Sequence, residues 1–464
     1  MSIKASSIYS FIEHQTGETL SSCAVTIDKI DLLKLLSIAS AKEEIYFFTS
    51  KPEDKIAFLA FDALLSINEG GADRVKNTSS KIEKWQNNFT SNWNEFQEKS
   101  FPLFLGGMKF SSGEYNELWK DYTDSDWFVP KFLFFCKEDQ FYFVYNFIAK
   151  DNSLSIAESD LRKVSDFLRE AELINNGFNS QNKIIKSNLC DLDEKQNWIE
   201  KVNEALEKID NEEFQKIVLS RQVNLELDGK PNFPSIINDL SARYPKCYVF
   251  AYKKGDSIFF GASPEKLAKI SNGWIEADAL AGSTQRGENE MIDKELEKSL
   301  LNSSKNLAEQ QAVVEFITNS FSSFSSDIQY SKKPIIRKLP NIQHLWTPIK
   351  AKLNTDKNIF SILKEIHPTP AICGVPWTNA LVSIKKMENH KRGLFAGMVG
   401  WFNFENEAEF AVAIRSALSK QNFIFAFAGC GIVKGSDPIS EYEEAELKLQ
   451  PILSLFKNEK IHQS

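Results

Sequence analysis

The stretch FIFAFAGCGIVKGSDPISEYEEAELK, residues 423–448, combines a strand pattern, a glycine cluster and the start of an acidic helix. Phe423, Phe425 and Phe427 alternate with aliphatic residues, a period of two that predicts a strand with one buried face. Gly429-Cys430-Gly431 predicts a turn, and Asp437-Pro438 with Ser440 a helix start. In that helix Glu441, Glu444 and Lys448 stand at i, i+3 and i+7 and share one face. Two carboxylates one turn apart, at the positive end of a helix, suit a divalent cation that also touches an anion. The plainer reading of EYEEAE is a solvated acidic face, and composition by itself favours it.

The 464 residues suffice for one very large domain or two to three ordinary ones. With 42% hydrophobic and 25% charged residues, the chain reads as a soluble globular protein. Its 36 Phe against 11 Tyr predict a dry, aromatic core. A net charge of −8 argues against nucleic acid as the main partner, while local Lys and Arg still allow small anionic substrates. Cys23, Cys136, Cys190, Cys247, Cys373 and Cys430 show no CxxC or Cys/His ligand spacing and read as reduced thiols. No signal-peptide pattern and no membrane-spanning apolar run is apparent, so a cytoplasmic location without membrane contact is expected.

Helical stretches alternate with apolar strands over residues 1–190, and FPLFLGGMKF (101–110) reads as a strand whose glycine pair admits another backbone. The polar passage 175–188 is the candidate linker. Trp198, Val202, Ala205, Leu206 and Ile209 follow at helical spacing. CYVFAY and SIFFGA, joined by Lys-Lys-Gly-Asp, predict a hairpin. One long helical region is expected over 291–321, with Leu300, Leu307 and Val314 a heptad apart. Strands are expected in FAGMVGWFNF, EFAVAIRSAL and NFIFAFAG. This mixture predicts an α+β fold instead of a βαβ array.

Four clusters carry chemistry. In EEFQKIVLSR (212–221) Lys216 enters an apolar strand. It reads as an edge-strand lysine, or, if desolvation favours its neutral form, as a general base. Glu265 in GASPEKL (261–267) reads as a helix-start carboxylate, or, if buried, as a general acid with a raised pKa. Glu309, with Val313 at i+4, faces inward on a helix and completes an all-oxygen magnesium set with Glu441 and Glu444. Arg415 interrupts the apolar strand AVAIRSAL and calls for a carboxylate partner, whereas a lone His such as His344 is more often structural. A dinucleotide fingerprint at Gly429 fails because position 434 is Lys, which leaves a nucleotide-binding module as the runner-up of another class.

In order, FQKIVLSR, GASPEKL, ALAGSTQRG, SSKNLAEQQAVV, NIQHL, HPTPAICGVP, RGLFAGMVGW, AIRSA, AGCGIV and EYEEAELK resemble the chorismate-utilising enzymes, and within them the isochorismate synthases. The resemblance spans about residues 198–453. It implies one large domain with two packed antiparallel β-sheets and outer helices, 1–190 being a divergent N-terminal half and 191–458 the chorismate-binding catalytic region. It further implies a Mg2+-dependent isomerase, the ion held by Glu309, Glu441 and Glu444 and carrying a substrate carboxylate. Arg415 and the backbone at Gly429 would hold the other carboxylate, with Lys448 adding charge. Lys216 would deprotonate a water that attacks ring carbon 2, and Glu265 would protonate the departing carbon-4 hydroxyl. His344 joins the catalytic group, and Gly282, Ser283, Ala371, Ile372, Phe395, Ile414 and Phe427 the substrate wall.

The resembling anthranilate and aminodeoxychorismate synthases differ where Lys216 stands, and Ala281 lacks the lysine that the latter use for a covalent adduct. Salicylate synthases differ at Ala371-Ile372 and Phe395. Release of isochorismate for menaquinone synthesis is therefore expected, with a siderophore pathway or salicylate synthesis as alternatives. A monomer without an obligatory glutamine amidotransferase is expected. Gln310 and Cys430 depart from the family's usual His and Ala.

Overall fold

Two long strands, Ile56–Glu69 and Ser125–Lys137, pair antiparallel and form the spine of the molecule. The computed structural model describes residues 3–458 except 99, 176–177, 179–180, 189–191 and 355–357. From the spine a first sheet runs through Ile45–Lys51, Tyr248–Lys254, Ser257–Ser263, Ser416–Lys420, Phe423–Val433 and Lys216–Leu227. A second leaves Ser125–Lys137 through Phe104–Met108, Met398–Phe402, Ala408–Val412, Lys266–Ser271, Trp274–Gln285 and Ile342–Lys352. These pairings are all antiparallel. The two expected sheets are thus present, but they are continuous through shared strands.

A second ribbon also joins them. Ser257–Ser263 belongs to the first sheet and Lys266–Ser271 to the second, with Pro264-Glu265 in the gap. Opposite, Ala408–Val412 and Ser416–Lys420 are separated by residues 413–415. The expected single strand EFAVAIRSAL is therefore two, and no helix begins at Glu265. Changing sheets demands a sharp bend that regular pairing does not supply. Arg415 takes a left-handed φ of 52° there.

Aromatic side chains fill the space between the sheets: Phe47, Phe58, Phe250 and Tyr252 share a buried cluster with Val399, Phe402 and Phe410. On the outer face of the first sheet Val249, Ala251, Phe260 and Ala426 lie beneath the helices Leu32–Lys42, Ser153–Glu172 and Phe233–Arg243. The helix Ser304–Ser322 covers the second sheet with Val313 and Ile317.

Other departures are local. Lys183–Ser187, in the candidate linker, is a strand pairing with residues 225–227, while positions 176, 177, 179 and 180 lie outside the described residues. The expected long helix is two, Glu290–Asn302 and Ser304–Ser322, because Ser303 accepts from Asn306 N–H and caps the second. The glycines after Phe427 do not turn; the strand continues to Val433. Phe423 is exposed at its start, and Ile424, Ala426 and Ala428 are buried opposite Phe427, because both faces are covered. The hairpin forms as expected, Lys254 pairing Ser257. Cys23, Cys136, Cys247, Cys373 and Cys430 are free thiols; Cys190 lies outside the described residues.

Candidate active site

The strand Phe423–Val433 lies against Lys216–Leu227, Gly429 opposite Ser220 and Gly431 opposite Val218. The helix Pro438–Leu453 then returns over them, capped by Asp437, whose carboxylate accepts from Ser440 N–H at 2.8 Å. Above this platform opens a partly enclosed cavity. It is lined by Glu265, Gly282, Ser283, Glu309, His344, Ala371, Ile372, Phe395, Ile414, Arg415, Gly429, Glu444 and Lys448 among others. Most of the expected site residues therefore meet here, from segments far apart in sequence.

Three do not reach the lining. Glu441 is buried beside Glu444. Phe427 is fully buried and stacks behind Phe395 at 5.2 Å between ring centroids, so it supports the wall instead of forming it. Lys216 stands just behind Glu309 and Gly431: its Nζ is 2.8 Å from Glu309 Oε1. A Cβ on Gly431 would sit 2.7 Å from that oxygen and 2.8 Å from Lys216 Cε. Only glycine leaves room for the pair.

Burial, with Asp278 nearby, pushes Glu265 up to about 8, so it is mostly protonated at neutral pH. Its Oε1 has no hydrogen-bond partner, nor does Nη1 of buried Arg415. Unpaired buried groups of this kind call for a ligand or a water. Arg415 Nη2 donates to His344 Nε2 at 3.1 Å. Because Arg can only donate, Nε2 accepts, and His344 Nδ1–H points to Ser283 Oγ at 2.9 Å. Burial, then Arg415 and Lys448, hold the imidazole far below its usual pKa. His344 is thus a neutral spacer that aims Arg415.

At the other end of the cavity each carboxylate has a lysine. Glu309 pairs with Lys216, Glu441 with Lys305 at 2.9 Å and Glu444 with Lys448 at 2.6 Å. Lys448 Nζ also donates to the Gly429 carbonyl at 3.0 Å, which binds the helix to the strand. Burial raises Glu309, but Lys216, with Lys448 and Lys305, outweighs it and the carboxyl is lowered. Burial and then Glu444 raise Glu441 despite Lys305, the sign of crowded negative charge. Ligand atoms of Glu441, Glu444 and Cys430 lie within 4.8 Å of one another. Cys430 Sγ is kept as a thiol by burial and donates to the Glu441 carbonyl at 3.2 Å, leaving oxygens as the donors. That set fits a hard divalent cation. Glu309 is outside this grouping, turned to Lys216.

Sequence reading missed Arg392, Glu388 and Ser220. Arg392 and Ser220 line the cavity, and the only signal was the i,i+4 spacing of Glu388 and Arg392. Gln310 takes a structural place: it accepts from Ala281 N–H at 2.8 Å and donates to the Ala279 carbonyl at 2.9 Å.

A closed antiparallel framework around a cavity with paired carboxylates, a protonated acid and an anion-seeking arginine defines a class acting on small anionic molecules. The chain belongs to the chorismate-binding enzymes: the family described as "Chorismate binding enzyme" matches residues 6–457. It is similar to isochorismate synthase MenF of Bacillus subtilis, with 32% identity covering 89% of this chain and 88% of that one. It is also similar to the salicylate biosynthesis isochorismate synthase of Pseudomonas aeruginosa, at 30% identity over 91% and 87%. The solved structure of MenF, the menaquinone-specific isochorismate synthase of Escherichia coli, shares the fold with a TM-score of 0.78 and 20% identity, covering 98% of this chain and 99% of that one. Among the described residues no helix is long and apolar enough to cross a membrane.

Proposed function

We propose that the chain is an isochorismate synthase, converting chorismate reversibly to isochorismate for menaquinone synthesis. The observation that carries this reading is the pairing, around one cavity, of an acid protonated at neutral pH with a buried lysine. Lys216 opens one strand and Glu265 sits in the bend between two others, and the lining near them includes Glu309 and Gly431. Similarity to the two isochorismate synthases over most of both chains supports it.

Arg415, aimed by His344, takes one substrate carboxylate with its unpartnered Nη1. Glu265 protonates the departing carbon-4 hydroxyl as the double bonds shift. Lys216 takes the proton of the water that attacks carbon 2, which requires its contact with Glu309 to open when substrate enters. Glu441 and Glu444, with Glu309 once it turns from Lys216, are the residues that would hold Mg2+, whose charge would neutralise a dianionic substrate. Phe395, Ile372 and Ile414 form an apolar wall with few groups to assist pyruvate loss, which favours release of isochorismate. The enzyme works as a cytoplasmic monomer without an amidotransferase subunit.

Incubation with chorismate and Mg2+, with products resolved by chromatography, should yield isochorismate. Salicylate with pyruvate would instead make it a salicylate synthase, and no turnover by folded protein would overturn the assignment.

A further inference from the structure

The strand that begins with Lys216 has an incomplete edge. Gly374–Val375 pairs with Lys216–Ile217, and Val218 N–H donates to the Cys373 carbonyl at 2.8 Å. Farther along, Lys183–Ser187 pairs only from Leu225 to Leu227. Between these two, the Val218 carbonyl and the Ser220 amide face no strand. Side chains meet them: Arg392 Nη2 donates to the Val218 carbonyl at 2.7 Å, and Ser220 N–H donates to Glu388 Oε1 at 2.7 Å. The two side chains are bonded to each other by Arg392 Nε to Glu388 Oε2 at 2.9 Å and Nη2 to Oε1 at 2.6 Å. Arg392 is 3% and Glu388 2% exposed along the side chain, so water does not compete. The third arm, Arg392 Nη1, donates to the Ile372 carbonyl at 2.8 Å.

We infer that the Glu388–Arg392 pair is a positioning clamp that replaces a missing length of strand and holds Lys216 and the Ile372 wall in one register. The inference rests on the catalytic reading for Lys216, but not for the clamp itself. A planar guanidinium can satisfy the strand carbonyl, the loop carbonyl and the carboxylate at once, whereas a lysine ammonium lacks that fork. A regular strand could serve Val218 and Ser220, but not also the carbonyl of the crossing loop 371–373. Buried ion pairs add little net stability compared with apolar packing. What this pair supplies is geometry: four backbone or hydroxyl groups, including Ser220 Oγ at 2.8 Å from Glu388, are referenced to one rigid unit. Arg392 Cζ also lies over the Phe110 ring, 4.3 Å from its centroid, a cation–π contact that helps to hold the fork in place. Neither residue is given a chemical step. Their effect on turnover passes through Lys216 and Ile372.

The test is R392K in the full chain, read by hydrogen exchange, by calorimetric binding of chorismate with Mg2+, and by kcat. Exchange of amides in 216–221 and 371–375 should quicken by about tenfold, with 274–285 and 342–352 unchanged. The kcat should fall by about 100-fold, the order expected for a displaced catalytic group. Chorismate should still bind at one site per chain within about threefold of the parent affinity. Exchange that is unchanged, or that rises throughout the chain with loss of binding sites, overturns the clamp, as does a kcat within about threefold of the parent. Should R392K fail to fold, E388Q provides the same comparison, since it keeps an acceptor for the Ser220 amide but weakens the guanidinium contact. A parent protein that makes no isochorismate sinks the catalytic reading alone. The exchange comparison needs no turnover and still decides for or against the clamp.

Discussion

Glu265 ties the pH behaviour of this molecule to one carboxyl group. Raised to about 8 by burial, it carries a proton at neutral pH and loses it as pH rises. If it is the acid, kcat/KM should be level below about 8 and fall about tenfold per pH unit above. E265Q should abolish turnover. Stability has a definite sign as well. Folding takes up a proton here, so this group's contribution declines from the ordinary carboxylate range up to about 8 and is flat beyond. Chemical denaturation of E265Q across pH should lack that decline. At Lys216, K216A should cut kcat by about 10³-fold, within the range of lost acid–base groups, while Mg2+-dependent chorismate binding persists. Unchanged turnover would remove Lys216 from the base role. Both residues stood out in the sequence because a charge broke an apolar strand or followed one. Arg392 did not, since a Glu–Arg pair four residues apart looks the same on a solvated helix as in a buried clamp.

At the scale of elements, the strand Phe104–Met108 shows how a pair of glycines lets one strand lie close between two neighbours. Gly106 has a φ of 150°, and a Cβ there would collide with the Asp126 carbonyl of the spine strand. Gly107 faces the Met398 carbonyl in the same way on the other side. G106A should therefore cost at least about 2 kcal/mol, visible as a lower denaturation midpoint, because both the backbone angle and the contact are violated. This element was readable in advance, since adjacent glycines inside an apolar run mark a close approach of another backbone. The break at Ser303 was not. Leu300, Leu307 and Val314 keep their heptad spacing across it, and only the Ser303 side chain bonded to Asn306 N–H reveals two helices. Glycines at 429 and 431 misled in the opposite sense. They look like a turn, but serve as flat strand positions where Lys216, Glu309 and Lys448 come close.

On the scale of the whole molecule, the two halves of the chain are woven together. Ile45–Lys51 pairs with Tyr248–Lys254, and Phe104–Met108 with Met398–Phe402. Residues 1–190 expressed alone should be unfolded or aggregated, because those edges would be bare. Co-expression with 191–464 should restore a soluble complex. Cooperative thermal unfolding of 191–464 alone, with chorismate binding, would refute that dependence. Alternating strands and long helices were enough to predict the α+β class, but not the continuity of the sheets, which depends on pairings more than a hundred residues apart. That continuity runs through the two bends that carry Glu265 and Arg415. Ser263 Oγ donates to the Val412 carbonyl at 2.5 Å, Val412 N–H to the Glu265 carbonyl at 3.1 Å and Ala262 N–H to the Arg415 carbonyl at 3.1 Å. The proposed proton donor and the proposed anion receptor are therefore mounted on a single mechanical joint. A substitution that tilts one bend is felt at the other, so residues 262–266 and 412–416 behave as one inherited unit: an engineer seeking a new substrate would have to vary them jointly, as two leaves of one hinge.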